Sequence, residues 1–503
     1  MSSLHDQDKR GLMPLIIQLA PVIVLFSWIV YQRIISPFSK VPGPYWASLS
    51  RTWLAYHSYT GDLHVVMMRL HEIHGKVVRI APSEVSISDL SSIKTIYGAG
   101  SNFRKSAWYS VWQGRRIFDL FPERDESVHA AQRRLVSRPY AMTSLKGLEP
   151  YVDNAIGVLL EKLGGMLGKT VDLGNWVQLF AFDVIGEVTF SKRFGFMDVG
   201  ADDGSFGQIE TALRSAAWIG QVPWLYWLHD YLSPVLGNWL GIASRHGSLR
   251  KFAALEVAAR QDRGSDHQDI LAKLLIVHHE KPGQFDGSAL VSMAASNIFA
   301  GSDTTAISIR SIIYHLLKNP ETKRLLLGEI DEHWRQGKLS DPVIFADSEN
   351  MPYLQAVMQE ALRVHPAVGM TLPRVVPKGG YEIDGHYMPA GSVVGVNPWV
   401  VHRSEEVYGQ DVYSFRPERW LKENSDMHRF FFAFGSGARI CLGRNISWME
   451  MAKLIPTLFL HFDLELADPD AVVEEKCYWF VSQKGLNVKL RRRQPPATEE
   501  ARA

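Results

Sequence analysis

The sequence predicts a mainly helical fold with a minor β-component, preceded by a single N-terminal transmembrane helix. Helical periodicity dominates from about residue 90 to residue 360, and short alternating segments typical of strands lie on either side of that stretch. The third observation is the run 12–30, which contains no charged side chain. A run of about 20 apolar residues is what the hydrocarbon core of a bilayer requires.

The N-terminal apolar run has two interpretations. It is interrupted by Pro14 and Pro21, and a cleaved signal peptide would also be apolar and N-terminal. The apolar region of a signal peptide is shorter, however, and no small-residue cleavage site precedes the Pro-rich segment that follows. We therefore expect an N-terminal tail over 1–11, a retained transmembrane anchor over 12–32 and a Pro-rich hinge over 33–45.

The rest of the chain reads as one domain. No linker rich in proline, glycine or serine follows the hinge, which predicts a single large domain over 46–492 and a disordered tail over 493–503. The 503 residues are 46% hydrophobic, enough for a large core. The net charge of +1 argues against a nucleic-acid partner. Two cysteines, Cys441 and Cys477, are too few for a disulfide framework, which suits a reducing compartment.

The predicted elements follow from local patterns. The segments with strand-like alternation are 76–80, 85–88, 380–385 and 392–396. The Asp384-Gly385 dipeptide inside the third of these is a hairpin signal. The strongest helix covers 288–318 and ends before Asn319-Pro320, because proline cannot continue a helix interior.

The centre of that helix, residues 300–305, breaks the rules of helix design. Glycine there costs about 1 kcal/mol relative to alanine, and an acid beside two threonines is a poor choice for a buried helix interior. Two interpretations are open from the residues alone. In one, Asp303 and Thr304 are functional. In the other, Gly301 allows close helix packing and the Thr304 hydroxyl bonds back to the Ala300 carbonyl.

The segment 434–443 surrounds one cysteine with glycines. Gly435 and Gly437 can adopt φ > 0, so the chain can turn tightly beneath a flat ligand while the sulfur of Cys441 faces it. A thiolate is a soft axial ligand that suits haem iron in O–O cleavage. Arg439 supplies a cation for a carboxylate, and haem has two. The alternative is a buried structural cysteine in a glycine turn.

The spacing of these residues resembles the signature FxxGxRxCxG of the cytochrome P450 superfamily at every fixed position. The resemblance implies a cytochrome P450 fold with haem b as cofactor. It also implies that Cys441 is the axial ligand of the haem iron and that Phe434 and Arg439 belong to the haem site. The region covered by the resemblance is roughly 40–490.

Two further patterns are similar to motifs of the same family. The centre of the long helix is similar to the oxygen-binding motif (A/G)Gx(D/E)T(T/S), which implies catalytic roles in proton delivery for Asp303 and Thr304. Glu360 and Arg363 lie at i, i+3 on one helix face, a pair that means little alone. Followed by Arg419, they are similar to the ExxR and PERF segments, which implies a buried ion network of these three residues.

The resemblance also implies cations for the haem propionates. His129 and Arg133, four residues apart, resemble the helix pair that reaches one propionate, and Arg374 resembles a strand arginine that reaches another. A solvated helix face is the alternative for His129 and Arg133. Trp420 stands where the family commonly has phenylalanine and preserves the aromatic bulk.

These resemblances imply a haem-thiolate monooxygenase that uses O2 and receives electrons from NADPH. No G-x-G-x-x-G motif or flavin-binding half is visible in the sequence, so a separate NADPH cytochrome P450 reductase is the expected partner. Lysine and arginine on the two sides of the anchor nearly balance and do not decide its orientation. Microsomal relatives imply a single-pass protein of the endoplasmic reticulum, in contact with membrane lipid, with a cytosolic catalytic domain.

Two alternatives belong to other classes. A non-oxygenating isomerase or dehydratase of the family would need haem but neither O2 nor a reductase, and the retained Asp303-Thr304 pair argues against it. A membrane-tethered haem sensor would need a signalling module, and none follows the haem segment.

The substrate class is inferred from two local sequence patterns and from the residues expected to line the pocket. Residues 148–153 and 181–188 resemble the fungal pisatin-demethylase-like group. The pocket would, by resemblance, be lined by Trp112, Trp218, Asn297, 368–370 and 480–481. This set is mostly apolar and has no cluster of arginine or lysine for an anionic substrate, so we expect a hydrophobic intermediate of fungal secondary metabolite biosynthesis. The aromatic run 218–228 is either a second bilayer contact or a buried helix pair.

Overall fold

The computed structural model describes residues 19–242, 247–263, 268–422 and 425–497, and their fold is mainly helical with minor β-structure. The helices up to residue 236 are α1 (19–30), α2 (Tyr45–Leu49), α3 (Thr52–Thr60), α4 (Leu63–His74), α5 (Leu90–Tyr97), α6 (Trp108–Gln113), α7 (Glu126–Val136), α8 (Met142–Leu145), α9 (Glu149–Gly164), α10 (Leu173–Phe190), α11 (Phe196–Val199), α12 (Ser205–Ile219) and α13 (Pro223–Leu236). The later helices are α14 (Gly247–Arg263), α15 (Ile270–Glu280), α16 (Gly287–Lys318), α17 (Pro320–Arg335), α18 (Phe345–Glu349), α19 (Pro352–Val364), α20 (Pro398–Val401), α21 (Glu405–Tyr408), α22 (Ser425–Arg429) and α23 (Arg444–His461).

The strands are short. They are β1 (Val77–Ala81), β2 (Glu84–Ile87), β3 (Thr170–Asp172), β4 (Leu372–Val375), β5 (Tyr381–Ile383), β6 (His386–Met388), β7 (Val393–Val396), β8 (Phe462–Leu466), β9 (Glu474–Tyr478), β10 (Phe480–Lys484) and β11 (Asn487–Arg492). A four-stranded sheet has the order β1-β2-β7-β4, in which β2 and β7 run parallel, and a three-stranded sheet has the order β3-β11-β8. The remaining strands form the hairpins β5-β6 and β9-β10. The predicted turn between β5 and β6 is present, with φ of 48° at Asp384 and 74° at Gly385.

Helix α16 lies in the core and is the helix predicted over 288–318. The Asp286 carboxylate accepts a hydrogen bond of 2.8 Å from the backbone N–H of Ala289 and caps its N-terminus. The helix ends before Pro320, as predicted. It packs closely on α10 at Gly301, where an added Cβ would lie 2.7 Å from Cδ1 of Ile185. Glycine therefore allows the close approach of the two helices, since a larger residue would require the Ile185 side chain to move.

The predicted anchor is described in part. Residues 12–18 lie outside the described residues, and 19–30 form α1, on which Val22, Val24 and Phe26 are exposed. Among the described helices, none combines the length and the apolar character needed to cross a bilayer.

The segment after α1 is attached to the first sheet. The buried guanidinium of Arg79 on β1 donates from Nη1 to the carbonyl oxygens of Gln32, at 2.9 Å, and Phe38, at 3.2 Å. The last residue of the predicted anchor, Gln32, and a residue of the predicted hinge, Phe38, therefore contact the domain through buried hydrogen bonds. At the other end, Arg493 forms an ion pair of 2.6 Å with Asp331, and residues 498–503 lie outside the described part of the chain.

Candidate functional site

A cavity lies between the central helix and the glycine-rich segment around Cys441. It is lined by residues of α6, α7, α16 and α23, by the segments 367–374 and 432–443, and by the turn between β9 and β10. Its lining is mainly apolar and aromatic, with basic side chains in one region.

The glycines beside Cys441 have the backbone conformation that the sequence predicted. The φ angles are 71° at Gly435 and 62° at Gly437. A Cβ on Gly437 would lie 2.0 Å from the carbonyl oxygen of Tyr97, so no other residue fits there. The resulting turn is closed by a hydrogen bond of 2.9 Å from the Cys441 N–H to the Phe434 carbonyl.

The side chain of Cys441 is accessible and borders the cavity. Burial by the surrounding protein raises the pKa of its thiol, while hydrogen bonds from the backbone N–H groups of Gly443 and Arg444 act in the opposite direction, as does the charge of Arg133. Hydrogen bonds to a ligating sulfur are one means by which proteins tune a metal centre. The sulfur is thus accessible to a ligand in the cavity, and it accepts hydrogen bonds from the backbone N–H groups that follow it.

Basic side chains collect in one part of the cavity lining. They are Lys105, His129, Arg133, Arg374 and Arg439. Burial, together with the charges of the four basic side chains around it, lowers the pKa of His129 to about 3. Cations gathered this closely favour an anionic ligand beside them. The two carboxylates of haem would meet that need, and Cys441 in the lining of the same cavity offers the thiolate that haem iron takes as a ligand, so the residues present fit haem b.

The cations are held by defined partners. Arg439 binds Glu126 with two contacts, from Nε at 2.9 Å and from Nη2 at 2.8 Å. The buried Arg374 donates from Nη1 to the Tyr109 hydroxyl at 3.3 Å. His129 on α7 is buried and faces the cavity, which excludes the solvated helix face for this residue.

Lys105 is a site residue that sequence reasoning did not identify. Its Nζ donates to the Phe121 carbonyl and lies 4.3 Å from the ring centroid of Tyr109. Burial lowers its pKa well below the usual range. It lies in an irregular segment before α6, where periodicity gives no signal, and its role is visible only from the tertiary structure.

The predicted ion network is brought together at the end of α19. Glu360 and Arg363 are both fully buried, and Arg363 donates from Nε and Nη2 to the two carboxylate oxygens at 2.8 Å each. Arg419 adds a contact of 3.0 Å from Nε. Burial raises the pKa of Glu360, but the two guanidinium groups outweigh it and hold the pKa below its usual range.

Thr304 borders the cavity on α16. Its hydroxyl donates a hydrogen bond of 2.8 Å to the Ala300 carbonyl, which is the contact expected from the packing interpretation. The oxygen of this hydroxyl keeps lone pairs with which to accept a further hydrogen bond. The close packing at Gly301 also agrees with that interpretation. The packing interpretation therefore explains the contacts of Thr304 and Gly301. The catalytic interpretation of Thr304 rests on the position of its hydroxyl at the cavity.

Asp303 borders a second cavity on the other side of α16. This cavity lies against α10, α12 and β10, and also contains Arg310. Gln178 on α10 donates from Nε2 to the Asp303 carboxylate. Burial raises the pKa of Asp303 to about 6, while Arg310 and Gln178 act in the opposite direction. The two adjacent residues of the predicted pair thus border different cavities.

The structure brings half of the expected pocket residues to the cavity. Of the residues named from the sequence, those that line the cavity are Trp112, Asn297, Val368 and Phe480. Those that do not are Trp218, Gly369, Met370 and Val481. The Trp218 ring instead packs edge-to-face against Tyr59, with centroids 6.5 Å apart. Trp479, which lines the cavity from the turn between β9 and β10, was not among the residues predicted from the sequence.

Comparison with known proteins agrees with this geometry. The profile of the family named Cytochrome P450 matches residues 41–490. Cytochrome P450 monooxygenase hepC of Aspergillus oryzae is 42% identical over 462 residues, covering 88% of this chain and 91% of that protein. A pisatin demethylase of Fusarium vanettenii is 36% identical and covers 93% of each chain. Cytochrome P450 monooxygenase gsfF of Penicillium aethiopicum is 36% identical, covering 93% of this chain and 96% of its own.

Proposed function

The chain belongs to the cytochrome P450 family of monooxygenases, and from that premise we propose that it oxidises a hydrophobic intermediate of fungal secondary metabolite biosynthesis. The observation that carries the proposal is the cavity in which the Cys441 sulfur and a group of buried cations meet apolar walls. The names of the similar fungal monooxygenases support the same class of function.

The site residues have distinct tasks in this proposal. Cys441 holds the haem iron, and Lys105, Arg374 and Arg439 bind its carboxylates. Haem, when bound, supplies the activation of O2 that inserts one oxygen atom into the substrate. The apolar walls orient the substrate and exclude water.

Asp303 and Thr304 have the proposed task of moving protons. A carboxyl whose pKa is about 6 both takes up and releases a proton near neutral pH. The Thr304 hydroxyl, at the cavity, would accept a hydrogen bond there and hold a proton at the position where O2 chemistry takes place when haem is bound. Water in the second cavity would recharge Asp303.

Electron supply and location complete the proposal. Electrons come from NADPH through a separate cytochrome P450 reductase, for which the exposed Arg134 and Arg138 at the end of α7 offer a basic surface. We place the protein in the endoplasmic reticulum membrane, attached by the N-terminal segment, with the catalytic domain in the cytosol. The exposed Trp224 and Tyr231 on α13 support a second contact with the bilayer.

Consumption of NADPH and O2 tests this function. The haem-loaded protein would be combined with reductase and hydrophobic candidate substrates, and product would be measured with both co-substrates. A monooxygenase consumes one NADPH and one O2 for each product when fully coupled. Product without consumption of either would identify an isomerase or dehydratase, and substrate or haem binding without turnover of any candidate would favour a sensor.

A further inference from the structure

Trp479 has a backbone conformation that bulky residues rarely adopt. Its φ is 87°, in the left-handed region that favours glycine, and the residue is only 3% exposed. Such an outlier costs free energy and persists only where the surrounding structure determines it. Residues of this kind concentrate at ligand-binding positions. Tryptophan therefore occupies a position whose backbone conformation glycine would adopt at a lower cost in free energy.

The base of the β9-β10 hairpin holds this conformation in place. The Glu475 carboxylate lies 3.1 Å from Nδ1 of His365 and 3.5 Å from Nε2 of His64. The other ring nitrogen of His365 is 3.0 Å from the carbonyl oxygen of Val481, so one histidine contacts both strands. We call Glu475, His64 and His365 the hairpin clamp.

A further backbone contact fixes the turn itself. The N–H of Gly369 donates to the Trp479 carbonyl at 3.0 Å. A Cβ on Gly369 would meet Cγ2 of Val481 at 2.3 Å and Sγ of Cys477 at 2.7 Å, so the hairpin lies directly against this segment. The turn is thus held from both its strands and its tip.

The ring of Trp479 enters a group of aromatic side chains at the cavity. Its centroid lies 4.7 Å from that of Trp108, 5.6 Å from Phe121 and 6.1 Å from Trp112. Trp112, Phe121, Trp479 and Phe480 line the cavity, whereas Trp108 does not. We call these four lining residues the aromatic wall.

We propose that Trp479 is a specificity-determining residue and that, as part of the aromatic wall, it stacks on a planar unsaturated ring of an uncharged substrate. The inference rests on the proposed function, because it concerns the substrate of the same cavity. Aromatic rings interact with one another through their quadrupoles in addition to the apolar area they bury, and a saturated ring of the same size lacks that contribution. Glu475 acts through Trp479 and is a positioning residue.

A matched pair of probes tests the stacking. Binding of 2-naphthol and of decahydro-2-naphthol, which share a carbon skeleton, would be titrated by the spectral shift of the haem-loaded protein. The wild type should prefer 2-naphthol. Trp479→Leu should lower the ratio of the two affinities by about 2- to 10-fold, the range measured for aromatic pairs. Trp479→Phe, which keeps a ring at the same backbone angle, should retain most of the preference.

The hairpin clamp is tested by the same ratio. Glu475→Ala should lower the preference for 2-naphthol, because the hairpin that presents Trp479 is released. The control is Glu474→Ala on the same strand, since Glu474 is exposed and lies outside the clamp. A merely structural loss would weaken both probes equally and leave the ratio unchanged. If Trp479→Leu fails to bind haem, the ratio of the two probe affinities in Glu475→Ala tests the inference instead, and an unchanged ratio there would contradict it.

An unchanged ratio in Trp479→Leu, or a wild type that prefers the saturated probe, would overturn the inference. Either result leaves the proposed function standing if the protein still consumes NADPH and O2 with formation of product. Failure of the proposed function would give a different result. The wild type would then consume no NADPH and O2 for product formation with any candidate substrate.

Discussion

The indole Nε1 of Trp420 donates a hydrogen bond of 2.8 Å to Oε2 of Glu360, a carboxylate with no solvent exposure. This carboxylate also accepts from Arg363, Arg419 and the backbone N–H of Arg416. The substitution of tryptophan for the commoner phenylalanine therefore does more than preserve bulk. It adds a donor to a buried anion, which is costly unless its oxygens are satisfied.

Trp420→Phe should lower the free energy of unfolding by about 1.5–3 kcal/mol, the usual range for a hydrogen bond to a charged group. The measurement is denaturant unfolding of the haem-loaded protein. The matched control is Trp448→Phe, whose indole donates at 3.0 Å to the neutral Gln355 side chain and should cost about 0.5–1.5 kcal/mol. Equal losses in the two variants would show that the charge on Glu360 is irrelevant.

Thr304→Ala should uncouple the enzyme, so that NADPH is still consumed while peroxide rises and product formation falls by about 10². The substitution removes the Thr304 hydroxyl at the cavity, and with it the group proposed to deliver protons there. The control is Ser302→Ala, because the Ser302 hydroxyl makes the same kind of bond, at 2.7 Å to the Ile298 carbonyl, from a fully buried position. Unchanged coupling in Thr304→Ala would leave only the packing role.

Asp303 should make stability depend on pH in a defined direction. Its folded pKa of about 6 is above the unfolded value of about 3.9, so the folded state holds the proton more tightly. The contribution is complete below about pH 4 and is lost as pH rises through about 6. The unfolding free energy of the wild type minus that of Asp303→Asn should therefore fall over that window and then level off. A constant difference between pH 4 and pH 7 would contradict the raised pKa.

Truncation should show where the folded domain begins. Removal of residues 1–38 deletes Gln32 and Phe38, whose carbonyl oxygens accept from Nη1 of the buried Arg79, whereas removal of 1–30 keeps both. A buried donor without its acceptor costs about 1–3 kcal/mol. The shorter deletion should thus retain its melting temperature while the longer one loses several degrees. Identical melting curves would mean that the contacts of Arg79 contribute nothing.

The features predictable from the sequence were those that depend on neighbours along the chain. The bounds of α16 followed from its periodicity and from Pro320, and the left-handed turns at Gly435 and Gly437 followed from glycine itself. The fold class followed in the same way, with short strands on either side of the helical region.

The features that the sequence did not reveal depend on contacts between distant segments. Lys105 meets the cavity only because α6 and β4 converge there, and Glu126 binds Arg439 across more than 300 residues. Trp218 was placed in the pocket by family resemblance, yet its ring packs against Tyr59. The hairpin clamp that holds Trp479 joins α4, the residue that follows α19, and β9, and no local pattern connects these segments.

The central claim is that Cys441 binds haem iron through its sulfur in this cavity, and the spectrum of the reduced protein with carbon monoxide tests it directly. The wild type should show the red-shifted Soret band of a thiolate-ligated haem. Cys441→Ala should lose this band, while Cys477→Ala, which removes a buried thiol outside the cavity lining, should keep it. Persistence of the thiolate band in Cys441→Ala would contradict the account.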